Sequence, residues 1–249
     1  MKRGAEMSKI ILVASGKGGA GKSTVSALLA EAFASKKHPT LVIELDSGLW
    51  SLDVAFGAAE NIVFDLGDII RGSCNIEDAV VPCPFCEGLS LIAAAAKPAA
   101  VKTETIEKIS SALSEKFEYI ILDCPAGIGE TLENAAKCAE LGLIVATPDP
   151  SSIRGAGRAG DLLSSAGVPE RRLVIERCPR KAKELSPIKN LDEIIDGAGL
   201  QLIGVIWEDP KTRSAMDSGE MLSFESPNYQ TFRDLSERIR GRYIPLGFK

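Results

Sequence analysis

Two lysines five positions apart in one glycine-rich stretch, Ser15-Gly16-Lys17-Gly18-Gly19-Ala20-Gly21-Lys22-Ser23-Thr24, are the residues of this chain best suited to chemistry. Gly16 to Ser23 fits the phosphate-loop pattern G-x-x-x-x-G-K-[ST]. Glycines leave no side chain in the way, so the backbone N–H groups of Gly16, Gly18, Gly19, Ala20 and Gly21 can curl around a triphosphate, with Thr24 closing the motif. In such a loop Lys22 reaches the β- and γ-phosphates and the Ser23 hydroxyl ligates Mg²⁺. Lys17 is surplus to that pattern. A second cation beside the γ-phosphate either stabilises transition-state charge or reaches across to a partner's nucleotide.

The flanking residues supply the elements that must hold this loop. The apolar run Ile10-Ile11-Leu12-Val13 feeds it as a strand, and Ser23 opens a helix whose N-terminus adds its dipole to anion binding. Val25, Leu28, Leu29, Ala32 and Phe33 recur at the spacing of one helical face. A second apolar run, Tyr119-Ile120-Ile121-Leu122, ends in Asp123, where a Walker B carboxylate would stand to hold Mg²⁺. Further strand-like runs span 40–45, 89–95, 141–147, 173–175 and 200–207, with helical patterns at 103–116, 131–138, 153–165 and 232–240. The alternation implies an α/β fold, a mostly parallel central sheet with helices on both faces and ligands at the strands' carboxyl ends. No linker or repeat divides the chain, so residues 8–249 are expected to form a single domain after a flexible N-terminal extension, 1–7.

Composition bounds the class. The 249 residues, 45% hydrophobic, suit one large soluble domain, and the net charge of −5 excludes a protein basic all round but not a local basic face. No stretch approaches the roughly 20 apolar residues that span a bilayer. The short apolar run at the N-terminus leads into the phosphate loop and so does not read as a signal peptide. Six cysteines without a framework pattern, beside a nucleotide site, imply a reducing cytoplasm.

The loop K-G-G-x-G-K-[ST]-T resembles the deviant phosphate loop of the MinD/ParA family of ATPases, and the resemblance extends over nearly the whole chain. It implies an ATP- and Mg²⁺-dependent homodimer in which Lys17 enters the facing subunit's site, with slow, partner-stimulated hydrolysis. Glu44-Leu45-Asp46-Ser47-Gly48-Leu49-Trp50-Ser51-Leu52-Asp53 resembles the family's D-x-D-x-G-L-x-x-L-D. The second acid, Asp46, is implied to orient the attacking water and approach Mg²⁺, while Glu44 departs from the usual Asp. Alternation places Glu44 and Asp46 on one side of the strand end, so that both can face the site. Pro125-Ala126-Gly127-Ile128 is more similar to MinD than to plasmid-partition ParA proteins, and Gly127 and Gly129 make a loop able to sense the γ-phosphate. For the base, the resemblance points to the region Ile175-Glu176-Arg177, with Arg177, and to Asp209 and Pro210 in the turn after Trp207. In function it implies spatial regulation of division-site placement. The alternatives are a ParA-type ATPase for DNA, flagella or other cargo, and a metallochaperone or iron–sulfur ATPase.

Three other features bear on those alternatives. Cys83-Pro84-Phe85-Cys86 has the C-x-x-C spacing of a metal or redox pair but supplies only two ligands, to which Cys74 would add a third. A symmetric dimer would bring two pairs together; otherwise the thiols are structural, as Cys124, Cys138 and Cys178 are expected to be. Arg171, Arg172, Arg177, Arg180, Lys181 and Lys183 form a basic cluster that reads either as a nonspecific DNA surface or as a solvated face. At the C-terminus, Pro245 and Gly247 break any amphipathic helix, so membrane association is expected to be weak or indirect, through a partner, with Tyr243 and Phe248 able to touch an interface.

Overall fold

A computed structural model describes residues 8–47, 51–98, 100–181 and 187–246. The expected extension over 1–7 lies outside the described residues. The first strand, β1 (Lys9–Ala14), is followed by α1 (Lys22–Ala34), β2 (Thr40–Glu44), α2 (Leu52–Ala55) and α3 (Leu66–Arg71). Then come β3 (Val81–Pro82), β4 (Leu89–Ile92), α4 (Thr103–Leu113), β5 (Tyr119–Asp123), α5 (Glu130–Ala136) and β6 (Leu141–Ala146). The remainder is α6 (Pro150–Ser165), β7 (Glu170–Cys178), α7 (Leu191–Ala198), β8 (Leu202–Trp207), α8 (Pro210–Ser218) and α9 (Pro227–Ile239).

The strands form one sheet in the order β3-β4-β2-β5-β1-β6-β7-β8. Every pairing is parallel except that of β3, a two-residue antiparallel edge on β4. Central strands read as unbroken apolar runs because both of their faces are covered. Leu12, Leu41, Ile43, Ile120 and Leu122 pack into one layer with α3, α4, α5, α6 and α7. Ile11, Val13, Val42, Ile121 and Val145 pack into the other with α1, α8 and α9. All ten are fully buried. The expected α/β architecture is therefore the one observed.

Boundaries differ where local pattern was weak. The expected short strand 173–175 is the middle of β7, which begins at Glu170 opposite Leu141; its polar start, Glu170-Arg171-Arg172, hides a strand held by in-register pairing to β6. The last helix begins at Pro227 rather than at 232, because Ser226 caps it by accepting from the Asn228 N–H and proline presets the first turn. Elements α2, α3 and β3 are too short to show a period in the sequence; α7 and α8 were not foreseen, although Leu191, Ile194, Ile195 and Ala198 of α7 lie at helical spacing. Beyond α9, the described residues 240–246 form no helix. Arg238 holds them back by donating to the carbonyls of Ile244 (2.8 Å) and Pro245 (2.9 Å).

Candidate functional site

Parallel register brings the site together. Val13 of β1 and Glu44 of β2 both lie opposite Asp123 of β5, so three neighbouring strands end at one level. The loop from Ser15 leaves β1 there and enters α1 through Gly21, which caps the helix with φ 93° and no capping side chain. The first-turn N–H groups of α1 are thus left for an anion. Gly16 is required by a crossing of backbones: a Cβ there would stand 2.1 Å from the carbonyl carbon of Gly155 in α6. Gly19, at φ 70°, has nothing within 4 Å of where its Cβ would be, so the cradle is open. The loop is tied at its base, where the Ser15 hydroxyl donates to the Lys17 carbonyl (2.8 Å) and the Gly127 N–H donates to the Ser15 carbonyl (3.0 Å).

Asp123 is fully buried and accepts from the Ser23 hydroxyl (2.7 Å) and the Ser26 hydroxyl (2.8 Å). Burial pushes its carboxyl upward in pKa, the two serines and Lys22 pull it down, and Asp46 pushes it up again. Lys22 is itself buried. Asp46 is raised by burial and lowered by Lys22, which places its charge within reach of the same lysine. It lines a cleft of about 430 Å³ with Leu45, Pro125, Ala126, Gly127 and Glu130. Lys22, Ser23, Asp46 and Asp123, drawn from residues about 100 positions apart, thus lie together at the strand ends. Ser26 was not foreseen, although it stands three residues after Ser23 and so shares its helical face.

Glu44 has a different task from Asp46. It is 1% exposed, and its Oε1 accepts from the Ser51 N–H (3.0 Å) and Ser51 hydroxyl (3.1 Å). Its other oxygen, Oε2, has no hydrogen-bond partner among the described residues. The longer acid, where the family pattern has Asp, thus fastens the far end of the loop that carries Asp46. Gly48, Leu49 and Trp50 lie outside the described residues.

Lys17 stands apart from this cluster. Its ammonium group contacts Asp149 Oδ1 at 3.1 Å, and its side chain is 47% exposed, on the rim of a cleft formed with Gly18, Thr147, Pro148 and Glu208. Asp149 caps α6 by accepting from the Ser152 N–H. Burial alone would raise Asp149, but donors from Thr147, Ser151, Ser152 and Lys17 hold it far below the usual carboxylate range.

Beside the same N-terminal end of α1, the carboxyl ends of β7 and β8 make a second cleft of about 380 Å³, reaching Thr24 and lined by Arg177, Trp207, Asp209, Pro210 and Met216. Arg177 adopts φ 51° and donates to the Gly19 carbonyl at 2.5 Å, tying β7 to the phosphate loop. Asp209 and Pro210 start α8, with the Asp209 carboxyl accepting from Lys211 N, Thr212 N, Thr212 Oγ1 and the Ser226 hydroxyl. Asp209 therefore shapes the cleft wall as a helix cap.

The donor set fits a magnesium–nucleotide complex. Ser23 and Asp123 offer hard oxygen donors at the N-terminus of α1, beside an open glycine cradle and a buried lysine. Bound there, Mg²⁺ would neutralise phosphate charge, held by Ser23 and Asp123 with Asp46 on the loop side. In such a complex the backbone N–H groups and Lys22 would be placed to grip phosphate, and Asp46 would be the acid placed to orient a water.

Neither of the competing motifs forms such a site. Cys83 and Cys86 are 6% and 5% exposed and belong to the core beside Phe56; the Cys83 thiol donates to the Phe56 carbonyl (3.4 Å). Burial pushes the Cys86 thiol up to about 12. No cluster of three or more His, Cys, Asp or Glu suited to a metal occurs among the described residues. Cys124 and Cys178 are core residues, and Cys138 packs partly buried against the core, as expected. In the basic cluster, Arg172 pairs with Glu170, Arg177 with Glu176, and Arg180 lies over the Trp207 ring at 5.7 Å. Lys183 lies outside the described residues.

A protein-family model described as ParA, NUBPL iron-transfer P-loop NTPase, matches residues 6–240. The septum site-determining protein MinD of Bacillus subtilis is 32% identical over 246 residues, covering 96% of this chain and 92% of that protein. Among solved structures, the MinC:MinD cell division protein complex of Aquifex aeolicus superposes with a TM-score of 0.87 at 30% identity, covering 96% of this chain and 98% of that one. MinD of Pyrococcus horikoshii, complexed with Mg-ADP, superposes with a TM-score of 0.80 at 26% identity, covering 94% of this chain and 96% of that one. By the family match over nearly its whole length and its identity to MinD proteins, the chain belongs to the MinD/ParA family of P-loop ATPases, on its MinD-like side.

Proposed function

We propose that this chain is a MinD-like switch that binds Mg-ATP, pairs with a second copy, hydrolyses ATP slowly and thereby helps place the division septum. The observation that carries the reading is the convergence of Lys22, Ser23, Asp46 and Asp123 at the ends of three adjacent strands, with Lys17 exposed on the rim. Lys22 and the loop amides hold the phosphates. Asp46 orients the attacking water, and Lys17 from the second copy neutralises charge that develops as the γ-phosphate leaves. Release of Lys17 from Asp149 frees it for that crossing. The relative whose structure was solved in complex with MinC supports an effector protein as the partner that reads the dimer. The switch would act in the cytoplasm and meet the membrane through such a partner; among the described residues no helix is long and apolar enough to cross a membrane.

Light scattering after gel filtration, with ADP or ATP and Mg²⁺, tests the switch. A dimer is expected only with ATP, longer-lived in Asp46→Ala and absent in Lys17→Ala. A monomer under every condition, despite nucleotide binding, would overturn the dimerisation step.

A further inference from the structure

The loop that carries Asp46 is tied at both ends, and one of the two ties is a side chain. At its start the Leu45 N–H donates to the Asp123 carbonyl (2.9 Å), extending the pairing of β2 with β5 by one residue. At its far end Ser51 opens α2, whose Leu52 is fully buried in the core layer shared with α1. Glu44 draws Ser51 back to the end of β2: its Oε1 accepts from both the Ser51 N–H and the Ser51 hydroxyl. Packing does not call for an acid there. Burial pushes the Glu44 pKa up, the Ser51 N–H pulls it down, and the Asp123 charge pushes it up again. A buried carboxyl beside a like charge is a costly way to fasten a turn, where an apolar side chain would pack without that cost. What the acid adds is direction, because two donors on one residue meet one acceptor and fix where the chain returns.

Resting on the nucleotide-switch reading above, in which Asp46 orients the attacking water, we propose that Glu44 is a positioning residue for hydrolysis: by clamping Ser51 it closes the 45–51 loop and holds Asp46 in place beside Lys22 and Asp123. The clamp grips neither phosphate nor water, so its effect is on geometry alone. A reacting group displaced by about 1 Å can lose on the order of 100-fold in rate. The hold on phosphate, made by Lys22 and the loop amides, is independent of it. Aspartate in place of Glu44, one methylene shorter, would leave its oxygens beyond hydrogen-bond reach of Ser51, because β2 is pinned in register against β5. Glutamine keeps the length and a carbonyl oxygen able to accept from Ser51. The family pattern carries Asp at this position, so the clamp belongs to this chain's own loop.

The test is the hydrolysis rate constant in a single turnover of protein loaded with Mg-ATP, on a dimer confirmed by light scattering, beside the Kd for Mg-ADP from calorimetry. Glu44→Asp should lose on the order of 10-fold or more in rate with the Kd held within about twofold. Glu44→Gln should keep the rate within about threefold of wild type. Ser51→Ala, which loses the hydroxyl but keeps the N–H, should show a smaller loss. Added to Glu44→Asp it should cost nothing further, because both changes remove the same tie. A rate unchanged in Glu44→Asp, a loss in Glu44→Gln as large as in Glu44→Asp, or rate and affinity falling together would each overturn the assignment. Should Glu44→Asp not fold, Ser51→Ala decides alone: a reduced rate at unchanged Kd supports the clamp, and a wild-type rate overturns it. An Asp46→Ala variant that hydrolyses at the wild-type rate would overturn the role of Asp46 itself, and this assignment with it.

Discussion

The glycine loop at 15–24 and the Cys83–Cys86 turn are both short motifs with reactive side chains at regular spacing, and the fold treats them in opposite ways. The loop stands at the carboxyl ends of three parallel strands, with open space above Gly19 and a buried acid, Asp123, behind it. The cysteine turn sits under the sheet edge, its sulfurs closed into the same layer as Phe33, Phe56 and Leu91. One motif gains partners from other elements; the other loses its access to solvent. Spacing alone names a chemistry, and the surroundings decide whether that chemistry can happen.

The contrast can be broken most forcefully at Lys22. Lys22→Ala removes the buried ammonium group of the phosphate loop and should weaken nucleotide binding by on the order of 100-fold, about 2.7 kcal/mol, in a calorimetric titration. Near-normal binding would mean that the loop amides alone hold the ligand.

Gly16→Ala tests whether geometry rather than charge makes the cradle. The new methyl would collide with the Gly155 backbone, so a loss of about 1–3 kcal/mol in stability is expected in chemical denaturation, together with weakened binding. Stability equal to wild type would show that α6 can withdraw from the loop at no cost.

Glu31 joins the two regions. It lies in α1, accepts from the Leu222 N–H, and is felt by both Cys83 and Cys86. Burial lifts its pKa to about 7 despite that hydrogen bond. The folded state therefore holds a proton that the unfolded chain has released between pH 4.5 and about 7. Glu31 then contributes a decline in stability as pH rises through that window, of up to roughly 1.4 kcal/mol per pH unit, and no further change above it. Denaturation curves at several pH values should show the decline lessened, though not removed, in Glu31→Gln, because Glu176 carries a shift of the same sign. An identical pH profile in the variant would show that Glu31 is solvated.

The smallest effect belongs to the cysteines. Cys86→Ala should cost about 1 kcal/mol of stability from lost packing and leave nucleotide affinity unchanged. Stoichiometric zinc or iron on anaerobically purified protein, lost in that variant, would erase the contrast between the two motifs.

Much of this was legible in the sequence because it rests on local relations. The phosphate loop, its flanking strand and helix, and Asp123 at a strand end follow from spacing and periodicity over a few residues. The resemblance added Asp46 and the deviant lysine. Boundaries were less legible where polar residues occupy a strand, as at Glu170-Arg171-Arg172, or where an element is a single turn, as at α2. The tie from Glu44 to Ser51 was not visible, since it depends on where the chain turns between them. Ser26 could have been found from its helical spacing to Ser23, yet nothing local says that Asp123 accepts from both.

Sequence alone therefore determined the phosphate-binding chemistry and the alternating α/β order, because both are written in neighbouring residues: glycines that free the backbone and apolar runs buried on two faces. Tertiary structure decided which acid does what and which motif stays silent. Parallel register set Glu44 level with Asp123, the longer side chain of Glu44 reached Ser51, and packing closed the cysteines away from solvent. Burial and alignment are properties of the whole sheet, and no stretch of the chain contains them by itself.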